Sequence, residues 1–371
     1  MTDPRHIQEV LALSLIKNVG PILARQLLAY FKTPAAIFAA TERELQEVPN
    51  VGAIVAKSIR ESSALTLAEK ELPLLEKHQI AALTYDDPHY PPLLKDIATA
   101  PLILFYRGNL DRIAQAGKRT ISIVGTRKAT SYGKGFVTEF VAELKAYDPS
   151  ITIVSGLAYG IDAEAHHAAL ANGLPTIGVL GHGLSYLYPP KHYTLAQQML
   201  ENGGLLTEYP FYREPDAPNF LQRNRLIAGL ATATIVVESA AHGGALSTAN
   251  YCLEYKRHLF AVPGYVGKTW SVGCNRLIAR HKASLIENVE DLITALKWEK
   301  KPQTQAAGLF FFPSTEEGQL LDALGNGEPK SFDEIVQAVE FPINQLQTLL
   351  FDLEMKGQIR QLPGRMYEKT H

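Results

Sequence analysis

Sulfur, membrane-length apolar runs and net charge are all scarce in this chain, and each shortage excludes something. Its 371 residues hold only 2 cysteines, Cys252 and Cys274, which are well separated in sequence. That spacing builds neither a disulfide framework nor a zinc site, and it fits a reducing cytoplasm. No apolar stretch reaches the roughly 18–20 residues that a membrane span needs. The N-terminal Met1-Thr2-Asp3-Pro4 lacks the basic-then-apolar order of a targeting segment. Lys and Arg number 36 against 38 Asp and Glu, a formal charge of -2, so no whole-protein basic field announces nucleic acid. Any anion has to be held locally. Catalytic signatures are missing too. There is no HExxH, and Gly264-Tyr265-Val266-Gly267-Lys268-Thr269 fails as an NTP-binding loop because Val262 stands where that loop needs glycine. The expectation is a soluble, cytoplasmic protein of two or three domains, with no metal and no cofactor.

What is present is concentrated in a few places. Asn219-Phe220-Leu221-Gln222-Arg223-Asn224-Arg225-Leu226-Ile227-Ala228-Gly229 puts two guanidinium groups beside an apolar run, where packing gives no reason for them. Planar arginine forks suit phosphate, carboxylate or stacked bases. Gly125-Thr126-Arg127 and Ser155-Gly156-Leu157-Ala158-Tyr159-Gly160-Ile161-Asp162 have the same density of functional residue types.

Residues 1–80 read as helices broken by Asn18-Val19-Gly20 and again by Asn50-Val51-Gly52. Two readings fit these breaks. One is a pair of helix-hairpin-helix turns, whose amides would face a phosphate; the other is two ordinary helix ends with glycine in the left-handed region. From about residue 118 the grammar changes. Thr120–Gly125, Thr152–Gly156, Pro175–Gly183, Leu205–Tyr209, Thr232–Ser239 and His258–Gly264 are short apolar or β-branched runs separated by helical stretches. That alternation predicts a doubly wound, mostly parallel α/β sheet over 81–298, with Leu102–Tyr106 as a further strand. Ligands of such sheets sit beyond the carboxyl ends of the strands, which is where the unusual residues fall. A polar linker follows over 299–312. Residues 313–371 then read as three helices and a hairpin around Pro363-Gly364, a winged-helix order.

Gly125, Thr126 and Arg127, followed by Ser131, Gly133 and Gly135 before a helix expected over Phe136–Leu144, suggest an anion seat at a helix N-terminus. The spacing is not that of a dinucleotide fold. Asp162 and His166 lie one turn apart, but Asp162 reads as a residue that orients the glycine loop. Lys191 beside Tyr188-Pro189-Pro190, together with Tyr209, Phe211 and Phe220, interleaves cations with rings, as single-stranded nucleic acid requires. Over residues 313–371 there are 5 Lys and Arg against 10 Asp and Glu, whereas the rest of the chain has 31 against 28. The third helix of the winged unit carries acids where a duplex reader carries cations, so this unit is expected to meet protein.

These residues resemble the DNA-processing protein A family (DprA, or Smf). The resemblance rests on Tyr90-Pro91-Pro92-Leu93-Leu94, Ile123–Arg127, Ser155–Ala163, Tyr188-Pro189, Glu208-Tyr209-Pro210, Arg223–Gly229, Phe260–Gly264 and Gly273–Ile278. It implies an extended Rossmann fold between helical and winged-helix domains. It also implies a non-enzymatic, homodimeric recombination mediator that protects single-stranded DNA and loads the RecA recombinase during natural transformation. Arg127 and Lys191 would line the DNA pocket. The expected single-strand site comprises Gly125, Thr126, Arg127, Ser155, Gly156, Lys191, Arg223, Asn224, Arg225, Gly243 and Gly244, the glycines letting the strand approach the backbone. The chain departs from the family at His192, Leu221, Ala231 and Gly243-Gly244-Ala245-Leu246. The rival expectation is a related enzyme that cleaves nucleoside monophosphates. Ala240–Thr248 lacks the Pro-Gly-Gly-x-Gly-Thr order of such enzymes.

Overall fold

The computed structural model describes residues 3–115, 119–299, 315–325, 329–339, 341–355, 358–362 and 364–369. The expected linker over 299–312, Glu299 apart, lies outside the described residues, as does Pro363 at the hairpin tip. The chain divides into two compact units, residues 1–301 and 302–371.

The first unit opens with six helices: α1 (Pro4–Leu15), α2 (Pro21–Phe31), α3 (Pro34–Ala39), α4 (Glu42–Gln46), α5 (Ala53–Arg60) and α6 (Ala64–Lys77). The two Asn-Val-Gly breaks have the same backbone. Asn18 and Asn50 both take φ +68°, while Gly20 and Gly52 are extended N-caps of α2 and α5. The left-handed residue is therefore the asparagine, not the glycine that the helix-end reading required. Asparagine tolerates that conformation better than most side chains. Leu11, Leu27, Ile37 and Leu45 fill a core that also takes in Ile103, Phe105 and Phe211, so the helices are packed onto the sheet.

The sheet has nine strands: β1 (Ala81–Thr84), β2 (Ile103–Gly108), β3 (Thr120–Val124), β4 (Thr152–Ser155), β5 (Thr176–Val179), β6 (Gly203–Thr207), β7 (Ala233–Val236), β8 (His258–Ala261) and β9 (Ser284–Leu285). Their order is β1-β2-β6-β5-β4-β3-β7-β8-β9. β1, β2 and β6 pair antiparallel, and the rest of the ladder from β6 to β9 is parallel. The central strands β3, β4, β5 and β7 are buried throughout, as expected of a sheet covered on both faces. The intervening helices are α7 (Pro92–Lys95), α8 (Leu110–Gln115), α9 (Ser131–Tyr147), α10 (Ile161–Ala171), α11 (Tyr193–Met199), α12 (Ala217–Gly229), α13 (Ala245–Glu254), α14 (Val272–Ala279) and α15 (Val289–Leu296). α9 begins at Ser131, five residues ahead of the expected Phe136, because Thr130 caps it by accepting from the Gly133 amide. Winding runs outward from β3 through β4 and β5 to β6, then restarts on the other side at β7. The switch point lies between β3 and β7, where open α/β sheets hold their ligands.

The second unit holds α16 (Thr315–Leu324), β10 (Lys330–Ser331), α17 (Phe332–Ala338), α18 (Ile343–Met355), β11 (Ile359–Leu362) and β12 (Met366–Lys369). Its strands pair antiparallel in the order β10-β12-β11 around a core of Leu320, Ile335, Leu346, Leu350 and Ile359. This is the expected winged helix. No helix among the described residues is long and apolar enough to cross a membrane.

Candidate nucleic-acid interface

A cleft of about 400 Å³ opens at the switch point. One wall is the loop after β3, Gly125 to Lys128. Another is α12, through Phe220, Arg223 and Asn224, and a third is the start of α13 with Gly243, Gly244 and Thr248. Asp162 and Trp270 also line it.

The loop after β3 is held from within. The Thr126 amide donates to the Glu238 carbonyl (2.8 Å), its hydroxyl accepts from the Lys128 amide (3.1 Å), and its carbonyl accepts from the Ile161 amide (3.2 Å). Thr126 thus shapes the loop, and Arg127 is left exposed at its tip with no carboxylate within salt-bridge distance among the described residues. The expected anion seat at the start of α9 is already filled. The buried Glu238 carboxylate accepts from the Thr130 amide (2.9 Å) and hydroxyl (2.6 Å), and it packs against Gly133. A carboxylate satisfies helix-end amides as a phosphate would.

Arg223 and Arg225 part company. Arg223 is 4% exposed and sends Nη1 to the carbonyls of Gly156 (2.8 Å) and Val179. Burial lowers its pKa to about 10, against the pull of Asp162, while burial pushes the Asp162 carboxyl upward against the pull of Arg223. Amides of Ala158 and Gly156 also favour the charged carboxylate, which ties Asp162 to the glycine loop. Arg225 does not line the cleft. It pairs with Glu208 on the other side of α12, facing α1 and the start of α2. The expectation that both arginines meet one ligand is corrected by the helix: a step of two residues turns a side chain by about 200°. Asn224, between them, links the helices, accepting from Arg223 Nε (3.3 Å) and donating to the Gly244 carbonyl (3.4 Å).

The glycines need a similar correction. A Cβ on Gly156 would stand 2.7 Å from both Arg223 and Asp162, and one on Gly125 would stand 2.5 Å from Ile161. Both are small for the sake of the protein's own interior. Ser155 is buried and donates to the Ile123 carbonyl (2.6 Å). A Cβ on Gly243 would meet the Ser239 hydroxyl at 2.4 Å, so of the four glycines expected to meet the strand, Gly244 alone has open space beyond its backbone.

Beside the cleft, a smaller recess joins Arg127 and Phe220 to Tyr159, Tyr188 and Pro189. Tyr159 and Tyr188 are 39% and 41% exposed. Tyr188 lies 5.5 Å from Phe220, and Tyr159 lies 5.0 Å from the His192 ring. His192 Nδ1 sits 2.9 Å from the Leu157 carbonyl, a contact that assigns its proton to Nδ1. Leu157 itself has φ +57°, a conformation a bulky residue adopts only under constraint. Lys191 is exposed on the short turn Pro190–His192, outside the cleft lining. Sequence reasoning did not single out Thr248, Trp270 or the internal role of Glu238. The interval Gly244-x-x-x-Thr248, one helical turn, was the available signal for the first.

No group of three or more histidine, cysteine or acidic side chains placed to hold a metal occurs among the described residues. The two thiols are buried, and burial raises Cys252 to about 11 and Cys274 to about 12, so neither is a nucleophile at neutral pH.

The family model described as DNA recombination-mediator protein A matches residues 81–297. The chain belongs to that family. Models of the DprA winged helix domain and of a helix-hairpin-helix motif match residues 300–365 and 10–64. Protein Smf of Synechocystis sp. is 33% identical over 97% of this chain and 98% of its own length. The family's solved DNA processing protein A from Streptococcus pneumoniae superposes with a TM-score of 0.66 at 29% identity, covering 79% of this chain and 97% of that one. The Helicobacter pylori family protein, studied for its single-stranded DNA binding mode, superposes with a TM-score of 0.52 at 28% identity over 59% of this chain and 96% of its own.

Proposed function

We propose that this protein holds single-stranded DNA along the lip of the switch-point cleft and acts as a recombination mediator. The observation that carries the reading is Arg127. It is exposed and unpaired among the described residues, it sits on a hydrogen-bonded loop beside the buried Arg223, and the exposed rings Tyr159 and Tyr188 line the same recess. Free guanidinium and ammonium groups meet phosphates, and free rings stack on bases only where the bases are unpaired. Arg127 and Lys191 take the phosphates, and Tyr159 and Tyr188 stack. Arg223 and Asn224 support the floor of the site, and Gly244 gives backbone access. The H. pylori family protein's single-stranded DNA binding is consistent with this.

In the same reading the chain acts as a cytoplasmic homodimer that protects incoming strands and hands them to a RecA-type recombinase in DNA uptake. It does so without enzymatic turnover. The acidic winged helix serves a protein contact: α18 carries no Lys or Arg from Ile343 to Met355 and exposes Ile343 and Phe351. Nucleotide cleavage is disfavoured because Asp162, the one carboxylate lining the cleft, is engaged by the Gly156 and Ala158 amides and faces Arg223.

The test is binding of labelled oligo-dT and of the matching duplex across a salt series, with Arg127→Ala and Lys191→Ala alongside. Strand-selective, salt-sensitive binding that both variants weaken is expected. Equal affinity for duplex and strand, or none for either, would sink the reading. Release of adenine from AMP would favour the hydrolase instead.

A further inference from the structure

Deep in the cleft, away from the loop that carries Arg127, one hydroxyl has nothing to do. Thr248 is 1% exposed and lines the cleft, yet its side chain makes no hydrogen bond with any described residue. A buried threonine ordinarily finds a partner. It lies one turn into α13, a ten-residue helix whose first residues, Gly244 and Ala245, line the same cleft. Helical side chains lean toward the N-terminus, so the Thr248 hydroxyl leans over the first turn. The Leu246 and Ser247 amides already donate to the Gly243 (3.1 Å) and Gly244 (3.0 Å) carbonyls, whereas the Gly244 and Ala245 amides donate to no backbone carbonyl among the described residues. The space above Gly244 is open, with no atom within 4 Å of where a Cβ would stand. Asn224, reaching from α12, steadies the turn through the Gly244 carbonyl. The neighbouring α9 terminus, by contrast, is closed by Glu238.

We infer that Thr248 and the two unengaged amides at the start of α13, those of Gly244 and Ala245, form a phosphate seat on the cleft wall away from Arg127. The seat holds a phosphodiester of the bound strand. This deepens the single-strand reading and rests on it for the source of the phosphate. Two walls gripping neighbouring phosphates would draw the strand into the cleft. A free nucleoside monophosphate has the same chemistry and is the alternative source.

The experiment uses the full chain, with Thr248→Val, Thr248→Ser and Arg127→Ala. Labelled oligo-dT is followed by anisotropy. Inorganic phosphate and dTMP are followed by the emission of Trp270, which lines the cleft and is one of 2 tryptophans, in a Trp298→Phe background. The expected result is oligo-dT binding about tenfold weaker in Thr248→Val, the scale of one hydrogen bond to a charged group. Thr248→Ser stays near the parent, and thermal midpoints are unchanged. If Thr248→Val binds within twofold of the parent while Arg127→Ala does not, the seat is wrong and the single-strand reading survives. If no form binds oligo-dT, that reading fails. A phosphate or dTMP response abolished in Thr248→Val would then support a mononucleotide seat, and no such response would overturn the seat as well. If dTMP binds as tightly as oligo-dT, the strand as source is overturned.

Discussion

Arg223 and Arg225 leave opposite sides of α12: the first passes beneath Gly156, and the second pairs with Glu208. Each is mostly buried, and each pulls back down the pKa of a carboxylate that burial pushes up. Truncating one partner of such a pair strands the other charge, which costs far more than the pair contributes. Arg223→Ala and Arg225→Ala should each lower the unfolding free energy by roughly 3–5 kcal/mol in urea titrations. Arg127→Ala should leave it within about 0.5 kcal/mol. A stable Arg223→Ala protein that merely loses DNA would contradict this assignment.

The same contrast extends to salt. Arg127 is proposed to meet one phosphate, so its removal should reduce the slope of log affinity against log salt by about one. An unchanged slope would mean that Arg127 acts on the loop and not on the strand.

Gly156 is the tightest point of the floor. Gly156→Ala must displace either Arg223 or Asp162, since both lie 2.7 Å from the new methyl. A loss of about 1–3 kcal/mol is expected, as for other overpacked sites. Calorimetry reads it directly, and a neutral result would require the two side chains to separate freely.

Tyr188 is partly free and stands beside Phe220. Tyr188→Ala should weaken oligo-dT binding by about 1–3 kcal/mol, the worth of one stacked base, and Tyr188→Phe should restore it. Restoration by leucine as well would point to simple apolar packing.

His166 supplies a pH signature. Thr176 donates its hydroxyl proton to the Ile153 carbonyl (3.1 Å), so it accepts from His166 Nδ1 (2.7 Å). Burial depresses the imidazole to about 3. A histidine whose folded pKa is depressed contributes stability above its unfolded pKa of about 6.5, and that stability is lost as pH falls toward 3. The advantage of the parent over His166→Gln in urea should therefore shrink between pH 7 and pH 4, by up to about 1.4 kcal/mol per unit. A constant gap would mean that His166 does not titrate there.

The location of the candidate cleft was legible because parallel strands advertise themselves as apolar runs, and open α/β sheets hold ligands at their carboxyl ends. Gly125, Arg127, Ser155 and Glu238 all stand at such ends. Facing was harder. The Arg-Asn-Arg run reads as a cationic cluster along the chain, but a helix divides it, and which half meets the cleft depends on how α12 lies on the sheet. The closure of α9 was not legible at all, since Glu238 reaches Thr130 across 108 residues. In the helical domain, spacing located the turns, but which residue of each took the left-handed conformation was decided by the asparagines.

Glu238 also bears on how the proposed site would greet a strand. By accepting from Thr130 with its carboxylate and from the Thr126 amide with its main-chain carbonyl, Glu238 keeps Arg127 on a frame that the fold alone sets. Much of the ordering that a mobile loop would undergo on contact has been completed during folding, so encounter becomes docking onto a finished surface. Because the clasping carboxylate belongs to the chain itself, dilution cannot remove it as it would a bound ion.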